Sequence, residues 1–185
     1  MRILTWWVVA FTLAVCSHAQ AQTVLVNSFG DAVDAQPGDC LCDADLATPG
    51  NQCTLRAAIM EANACGLITH ILLPGGTYAI GISGGGENGC VAGDMDIVGI
   101  GLTIESIGGT AFLDASGLDR YFDVLSGGGL RLVGCAIYNG DPGIGSFPGS
   151  TSQNGGAIRV GGFGGPGSLE LEDVLIESNK ATLGG

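Results

Sequence analysis

Acidic residues at short spacings are the side chains of this sequence whose chemistry can be named first. Asp94 and Asp96 alternate, and alternate residues of a β-strand point to the same face of a sheet. Asp119, Arg120 and Asp123 form a second charged group. Carboxylates clustered in this way could bind calcium. We favour the alternative, in which Asp96 and Asp123 are solvent-facing polar residues on strands.

A third acidic group, Asp39, Asp43 and Asp45, lies beside two cysteines. Oxygen ligands at short spacing suit calcium, but the glutamate that ends an EF-hand loop is missing, because the twelfth position from Asp43 is Thr54. We therefore favour a solvated acidic loop and predict no cofactor, with calcium as the alternative. The sequence has no nucleophile elbow, metal-binding histidine pair or phosphate loop, so no catalytic residues are predicted and a protein without enzymatic activity is favoured.

Six cysteines follow the first 21 residues, and an even number in an exported chain indicates disulfide bonds. They are Cys40, Cys42, Cys53, Cys65, Cys90 and Cys135. The competing interpretation is a zinc site. Zinc sites normally use C-x2-C spacings or histidine pairs, whereas this part of the chain has Cys40-x-Cys42 and a single histidine, His70. Disulfides are therefore favoured, although spacing alone does not decide how the cysteines pair.

Residues 1–21 have the three parts of a secretory signal. Arg2 precedes an apolar run over residues 4–15, and Ala19-Gln20-Ala21 is a typical cleavage site. The run is too short to cross a membrane as a helix. Cys16 could instead be the lipidated cysteine of a lipoprotein signal, but Val15 is a poor residue before such a cysteine. We predict an exported protein that is extracellular, on the cell surface or in the outer membrane.

The amino-acid composition limits the kinds of molecule that the chain is predicted to bind. Removal of Arg2 with the signal leaves 5 of the 6 basic residues against 18 acidic ones. Nucleic acids and anionic membranes both require basic patches, so neither is predicted as a partner. The 34 glycines show no period of three, which excludes collagen, and the apolar content is too high for a disordered chain.

One helix is predicted, over about residues 54–64. Thr54 is a suitable N-cap, because its hydroxyl can accept a hydrogen bond from an amide of the first turn. Gly66 follows the helix, where a left-handed residue is favoured. Apolar residues recur at the spacing of one helical face, at Leu55, Ala58, Ile59 and Ala62.

This helix also carries a family resemblance. Cys53-Thr54-Leu55-Arg56-Ala57-Ala58 resembles the CSLREA signature, which is found near the N-termini of predicted bacterial surface proteins. The similarity covers residues 23–80 and includes Val26-Asn27-Ser28, Glu61-Ala62-Asn63-Ala64 and Leu73-Pro74-Gly75-Gly76-Thr77-Tyr78. The family has glutamate where this chain has Ala57, so only the Thr54 half of its capping box is present.

The resemblance implies that residues 22–66 form an N-terminal cap. It also implies a disulfide between Cys42 and Cys53, which would link the preceding loop to the start of the helix. Cys40 and Cys65 then flank the same unit and are candidates for a second disulfide. Cys90 and Cys135 either pair with each other or remain free.

Beyond the helix the sequence has short apolar alternations bounded by glycines, which predict half-buried strands. The segment at 130–137 repeats at 169–176, and Phe122-Asp123-Val124 similarly matches Ile158-Arg159-Val160. Gly155-Gly156-Ala157-Ile158 and the later Ser178-Asn179-Lys180-Ala181 resemble the polymorphic outer membrane protein repeat. That resemblance implies an all-β fold, a right-handed parallel β-helix of the pectin-lyase type. A β-sandwich is the rival fold.

We therefore expect a signal at 1–21, a cap at 22–66 and the first turns of the solenoid at 67–185, with the C-terminal end continuing into, or packing on, further turns. The predicted function is structural or adhesive display at a cell surface, with an extracellular glycan or a host or neighbouring surface as partner. The alternative is the N-terminal part of a carbohydrate-active enzyme similar to polysaccharide lyases, with most of its active site outside this chain. A third interpretation is a passive matrix protein.

Overall fold

The computed structural model describes residues 20–143, 154–161 and 165–181, which contain one helix and ten strands. The chain begins with β1 (Gln22–Leu25), α1 (Leu55–Cys65), β2 (Ile68–Ala79), β3 (Met95–Ile97) and β4 (Gly101–Asp114). It continues with β5 (Phe122–Val124), β6 (Gly129–Val133), β7 (Cys135–Tyr138), β8 (Ile158–Val160), β9 (Ser168–Glu172) and β10 (Leu175–Ile176).

Some predicted features lie in residues that the structure does not describe. Nearly all of the predicted signal over residues 1–21, including Cys16, lies outside the described residues, as do the final residues 182–185. Within the described ranges, no helix is long and apolar enough to cross a membrane.

The strands form two parallel sheets. In the larger sheet the order is β1-β2-β4-β6-β9, and β7 pairs with the second half of β4 and with β10. The smaller sheet has the order β3-β5-β8. Paired strands are not consecutive in the chain except for β1 and β2, and every described pair is parallel.

The register places similar residues side by side. Leu102, Leu130 and Leu169 form one row across β4, β6 and β9. Leu102 and Leu130 are both 2% exposed, whereas Leu169, on the edge strand β9, is 37% exposed. Rows of this kind bury the apolar positions of successive strands in one core.

The predicted fold class, an all-β right-handed parallel β-helix, is wrong. The described residues form a mixed structure, in which one buried helix accompanies two parallel sheets, and no β-helical solenoid is found among them. Parallel sheets with a helix packed on them are typical of the α/β class. The physical reason for the error is that a period of two identifies a strand and its buried face, but it does not specify how sheets connect in space.

The helix forms where its local signals place it. Thr54 is the N-cap, and its hydroxyl oxygen accepts a hydrogen bond from the Ala57 amide at 3.0 Å. Gly66 ends the helix at φ 70°, with its amide bonded to the carbonyl of Ala62. All eight residues from 55 to 62 are buried, so the helix is covered on every side in this stretch rather than along one stripe. It packs on β2 and β3 and contributes directly to the core.

Candidate functional site

Two disulfides hold the segment before the helix. Cys40 is bonded to Cys65 and Cys42 to Cys53, so both ends of α1 are tied to the same loop. The prediction of disulfide bonds is confirmed, and these bonds join the four cysteines that the family resemblance brought together. Their four sulfurs are consequently not thiolate ligands for zinc. Of the cysteines that the structure describes, the other two, Cys90 and Cys135, are free and buried. Disulfides of this kind fit an extracellular protein.

The exposed acidic loop uses its carboxylates within its own turns. Asp39 accepts a hydrogen bond from the amide of Leu41, two residues later. Asp43 accepts from the amides of Asp45 and Gln52. Asp45 accepts from the Thr48 hydroxyl at 2.6 Å, and this bond, with an amide bond, lowers the pKa of Asp45. These contacts give the three carboxylates a structural role, because they close Asx-type turns.

Arg56 connects the helix to the rest of the molecule from a fully buried position. Its Nε and Nη2 donate to the two carboxylate oxygens of Asp31 at 2.6 and 3.1 Å. The same guanidinium donates to the carbonyls of Cys90, Gly93 and Asp94 at 3.1, 2.7 and 3.4 Å. Burial is the largest influence on the pKa of Arg56 and lowers it, but the bond to Asp31 and the nearby negative groups together leave this pKa above its usual value.

Two further polar residues of the helix bind other segments. Glu61, fully buried, accepts from the amides of Gly38 and Cys40 and so fixes the disulfide loop. Asn63 donates to the Asp96 carbonyl at 2.7 Å and accepts from the Val98 amide at 3.0 Å, which attaches the helix to β3. The polar residues of α1 thus bind three parts of the chain: Asp31 with the loop before β3, the disulfide loop, and β3 itself.

The carboxylates singled out in the sequence meet in a buried cluster around β3 and β5. Asp96 lies opposite Asp123 in the parallel register. Asp94, Asp96, Asp119 and Asp123 are each no more than 6% exposed. Our prediction that Asp96 and Asp123 face solvent is wrong, because both faces of these short strands are covered. A period of two gave no signal for this second cover, in which the Cys90 amide bonds to Asp96, and Arg120 and Arg159 lie against Asp123.

Two arginines enter the same cluster. Arg120 Nη1 donates to Asp94 Oδ2 at 2.6 Å and lies 3.7 Å from Asp123 Oδ2. Arg159, from β8, is bonded through its Nε and Nη2 to both oxygens of Asp123. Arg159 was not among the predicted site residues, although its place opposite Asp123 follows from the repeat alignment at 122–124 and 158–160.

The cluster strongly disfavours negative charge. Burial raises the pKa of Asp96 to about 8, and the nearby charge of Asp94 adds to the rise. Burial, followed by the charge of Asp119, raises the pKa of Asp94 to about 7 even though Arg120 is bonded to it. Burial likewise raises the pKa of Asp119. Groups with such environments are candidates for function, although all four carboxylates of this cluster are buried.

A groove lined by polar residues is one surface feature that could hold a ligand. It has a volume of about 590 Å³ and lies beside the turns that follow β4, β7 and β10. Its lining offers hydroxyl, amide, carboxylate and ammonium groups, from Ser116, Asn139, Asp141, Ser178, Asn179 and Lys180. Lys180 is 79% exposed and lies 3.7 Å from Asp141, so the groove carries a loose ion pair.

Comparisons with protein-family models, with curated proteins and with solved structures found no match to this chain. The similarities to the CSLREA signature and to the outer membrane protein repeat therefore stay predictions from the sequence.

Proposed function

We propose that this chain is an exported protein with a structural and adhesive display role at a cell surface, and that it binds glycan through its polar groove. The observation that carries the proposal is the groove itself, in which several uncharged and charged polar groups meet at the turns that follow parallel strands. The two disulfides support export, because such bonds persist in oxidising compartments.

The groove chemistry favours a sugar ligand over an apolar one. Hydroxyl-rich ligands need both donors and acceptors at fixed positions, which serine, asparagine and aspartate side chains supply. Asn179 is held in place, because it accepts from the Gly140 amide and donates to the Ile137 carbonyl. Asn139, which also lines the groove, donates to Asp114 Oδ1 at 3.0 Å. Pre-positioned polar groups of this kind lose little conformational entropy when a ligand binds.

The carbohydrate-active alternative receives no support from the described residues. Its candidate carboxylates, Asp94 and Asp96, are 3% and 0% exposed, so a polysaccharide chain cannot contact them in this conformation. A general acid or base must come within hydrogen-bond reach of its substrate. Mutation of either residue is thus expected to act on folding rather than on sugar turnover.

The experiment is a glycan-binding assay with the purified, oxidised protein. Lys180→Ala, in the groove, should weaken binding to the selected glycan by about tenfold, the effect of losing one charged hydrogen bond. Arg131→Ala is the matched control, because Arg131 is an exposed cation on another surface, paired with Glu170 and Glu172. Equal affinities for the two variants, or absence of glycan binding by the unmodified protein, would refute the proposal.

Export is tested separately, by cell fractionation and N-terminal sequencing. The proposal expects the chain outside the cytoplasm with Gln22 as its first residue, because cleavage should follow Ala21. A cytoplasmic chain that retains Met1 would contradict it.

A further inference from the structure

One oxygen in the buried carboxylate cluster has no hydrogen-bond partner. Asp96 is fully buried, and its Oδ2 accepts from the Cys90 amide at 2.8 Å. Its Oδ1 has no such partner among the residues that the structure describes. A buried carboxylate oxygen without a partner is costly whether it is charged or protonated, because a protonated oxygen would also need an acceptor.

The charges of the cluster do not balance. Four carboxylates, those of Asp94, Asp96, Asp119 and Asp123, are buried together with two guanidiniums, those of Arg120 and Arg159. With all groups ionised, the difference is two negative charges. Arg56 does not correct this difference, because its charge is matched by Asp31. An excess of buried charge is unfavourable by several kcal/mol per ion unless a counter-charge is present.

The geometry of three of these carboxylates is that of a cation site. Asp94, Asp96 and Asp123 each offer one carboxylate oxygen, and these oxygens all lie within 4.8 Å of one another. Ligands of Ca²⁺ lie at about 2.3–2.6 Å from the ion, so oxygens up to about 5 Å apart can share it. The bonds that Asp94 and Asp123 make to arginines leave lone pairs available, since an ionised carboxylate has about four acceptor sites.

We propose that Asp94, Asp96 and Asp123 bind one Ca²⁺ ion in the interior, with the unpartnered Oδ1 of Asp96 as a ligand. A divalent cation supplies the two missing positive charges. Ca²⁺ is favoured over Mg²⁺, because Ca²⁺ accepts irregular oxygen geometry, whereas Mg²⁺ requires a near-ideal octahedron and retains several waters. The arginines remain beside the ion and keep Asp94 and Asp123 ionised and oriented. The ion would thus join β3, β5 and the loop before β3.

The first test is calcium-dependent stability of the full oxidised chain. Because the site is buried, samples are unfolded and refolded with either EGTA or millimolar CaCl₂, so that the ion can enter during folding. Thermal denaturation should show a higher Tm with calcium. At a calcium concentration of about 100 times Kd, the unfolding equilibrium constant should fall about 100-fold. Equilibrium dialysis of the same protein should give one Ca²⁺ per chain.

Asp96→Asn is the decisive variant, since it keeps the shape of the side chain and removes one charge. It should bind Ca²⁺ at least tenfold more weakly, while its stability in EGTA equals or exceeds that of the unmodified protein, because the ion-free cluster has more carboxyl than guanidinium groups and an amide of the same shape adds no charge to it. Asp45→Asn is the matched control. Asp45 belongs to the exposed loop, so this variant should retain the full calcium-induced rise in Tm.

Three results would overturn the inference. The first is that calcium neither raises the Tm of the unmodified protein nor binds to it in equilibrium dialysis. That result would mean that a proton or a buried water, and not Ca²⁺, compensates the unpartnered oxygen of Asp96. The second is Asp96→Asn with unchanged calcium affinity. The third is a larger rise in Tm with Mg²⁺ than with Ca²⁺ at equal concentration, which would contradict the choice of ion.

Discussion

Replacement of Arg56 by alanine should remove a large part of the stability of this protein. The variant loses two bonds to Asp31 and three to backbone carbonyls, all in the interior. Breaking a buried ion pair by removal of one partner costs about 3–5 kcal/mol. We expect the lower half of that range, because Asp31 keeps the amides of Gly81 and Ile82 as donors at 2.8 and 3.0 Å. This cost is large, because the free energy of unfolding of a typical domain is only about 5–15 kcal/mol.

The assay is urea denaturation followed by circular dichroism, with the free energy of unfolding extrapolated to water. Arg131→Ala is the control, because it removes an arginine of the same size from an exposed ion pair. Exposed pairs contribute little to stability, so the denaturation midpoint of that variant should stay nearly unchanged. A midpoint for Arg56→Ala close to that of Arg131→Ala would show that the buried contacts do not hold the helix.

A double-mutant cycle separates the ion pair from the carbonyl contacts. Asp31→Asn removes the charge partner but keeps an oxygen acceptor, so the loss for this single variant should be smaller than for Arg56→Ala. The two changes together should cost less than the sum of their separate costs, by at least about 1 kcal/mol. Strict additivity of the two effects would refute the direct coupling that the 2.6 Å distance between Arg56 Nε and Asp31 Oδ1 indicates.

Three further changes have defined outcomes. Replacing both Cys42 and Cys53 with serine should lower the free energy of unfolding by about 3 kcal/mol in urea denaturation, because the unfolded chain regains the freedom of a short loop. Burial raises the pKa of Tyr78 to about 12 from its ordinary 10.0. The contribution of its protonated hydroxyl to the free energy of unfolding is therefore complete below pH 10 and is lost as the pH rises through 12. Tyr78→Phe should reduce this alkaline loss of stability in pH-dependent thermal melts. Gly93→Ala should cost clearly more than the control Gly99→Ala in the same melts. Both glycines have φ near 65°, but only at Gly93 would the added Cβ lie 2.1 Å from a facing backbone carbonyl oxygen.

The helix was accessible to sequence reasoning because its signals are local. A capping hydroxyl at Thr54, an apolar period and a terminal glycine at Gly66 lie within a few residues of one another, and the observed helix, Leu55–Cys65, is displaced by one residue from the expected range. What the sequence could not indicate is that the polar residues Arg56 and Glu61 are also buried. Their hydrogen-bond partners are at least 25 residues away for Arg56 and at least 21 for Glu61, in segments without regular structure.

The strand register was also visible in the sequence. The repeat aligned Leu130 with Leu169 and Phe122 with Ile158, and these residues are paired neighbours in the structure. A repeat identifies partners because equivalent residues of parallel strands lie side by side. It does not identify the fold class, and the predicted β-helix was wrong for that reason, since the way in which strands leave one sheet and enter another is decided by the turns.

The buried carboxylates show that alternation in a sequence does not always predict which strand residues are exposed. In β3 the alternation predicts that Met95 and Ile97 face the core and that Asp96 faces water, but all three residues are buried. The register then brings Asp96 next to Asp123, although like charges on neighbouring strands repel each other. Arg159, which continues the row, compensates only one of these charges. Arg120 also lies 3.7 Å from Asp123 Oδ2, so Asp96 is the carboxylate of this row that still needs a cation or a proton. Calcium titrations of the unmodified protein and of Asp96→Asn, compared with each other, distinguish these two cases.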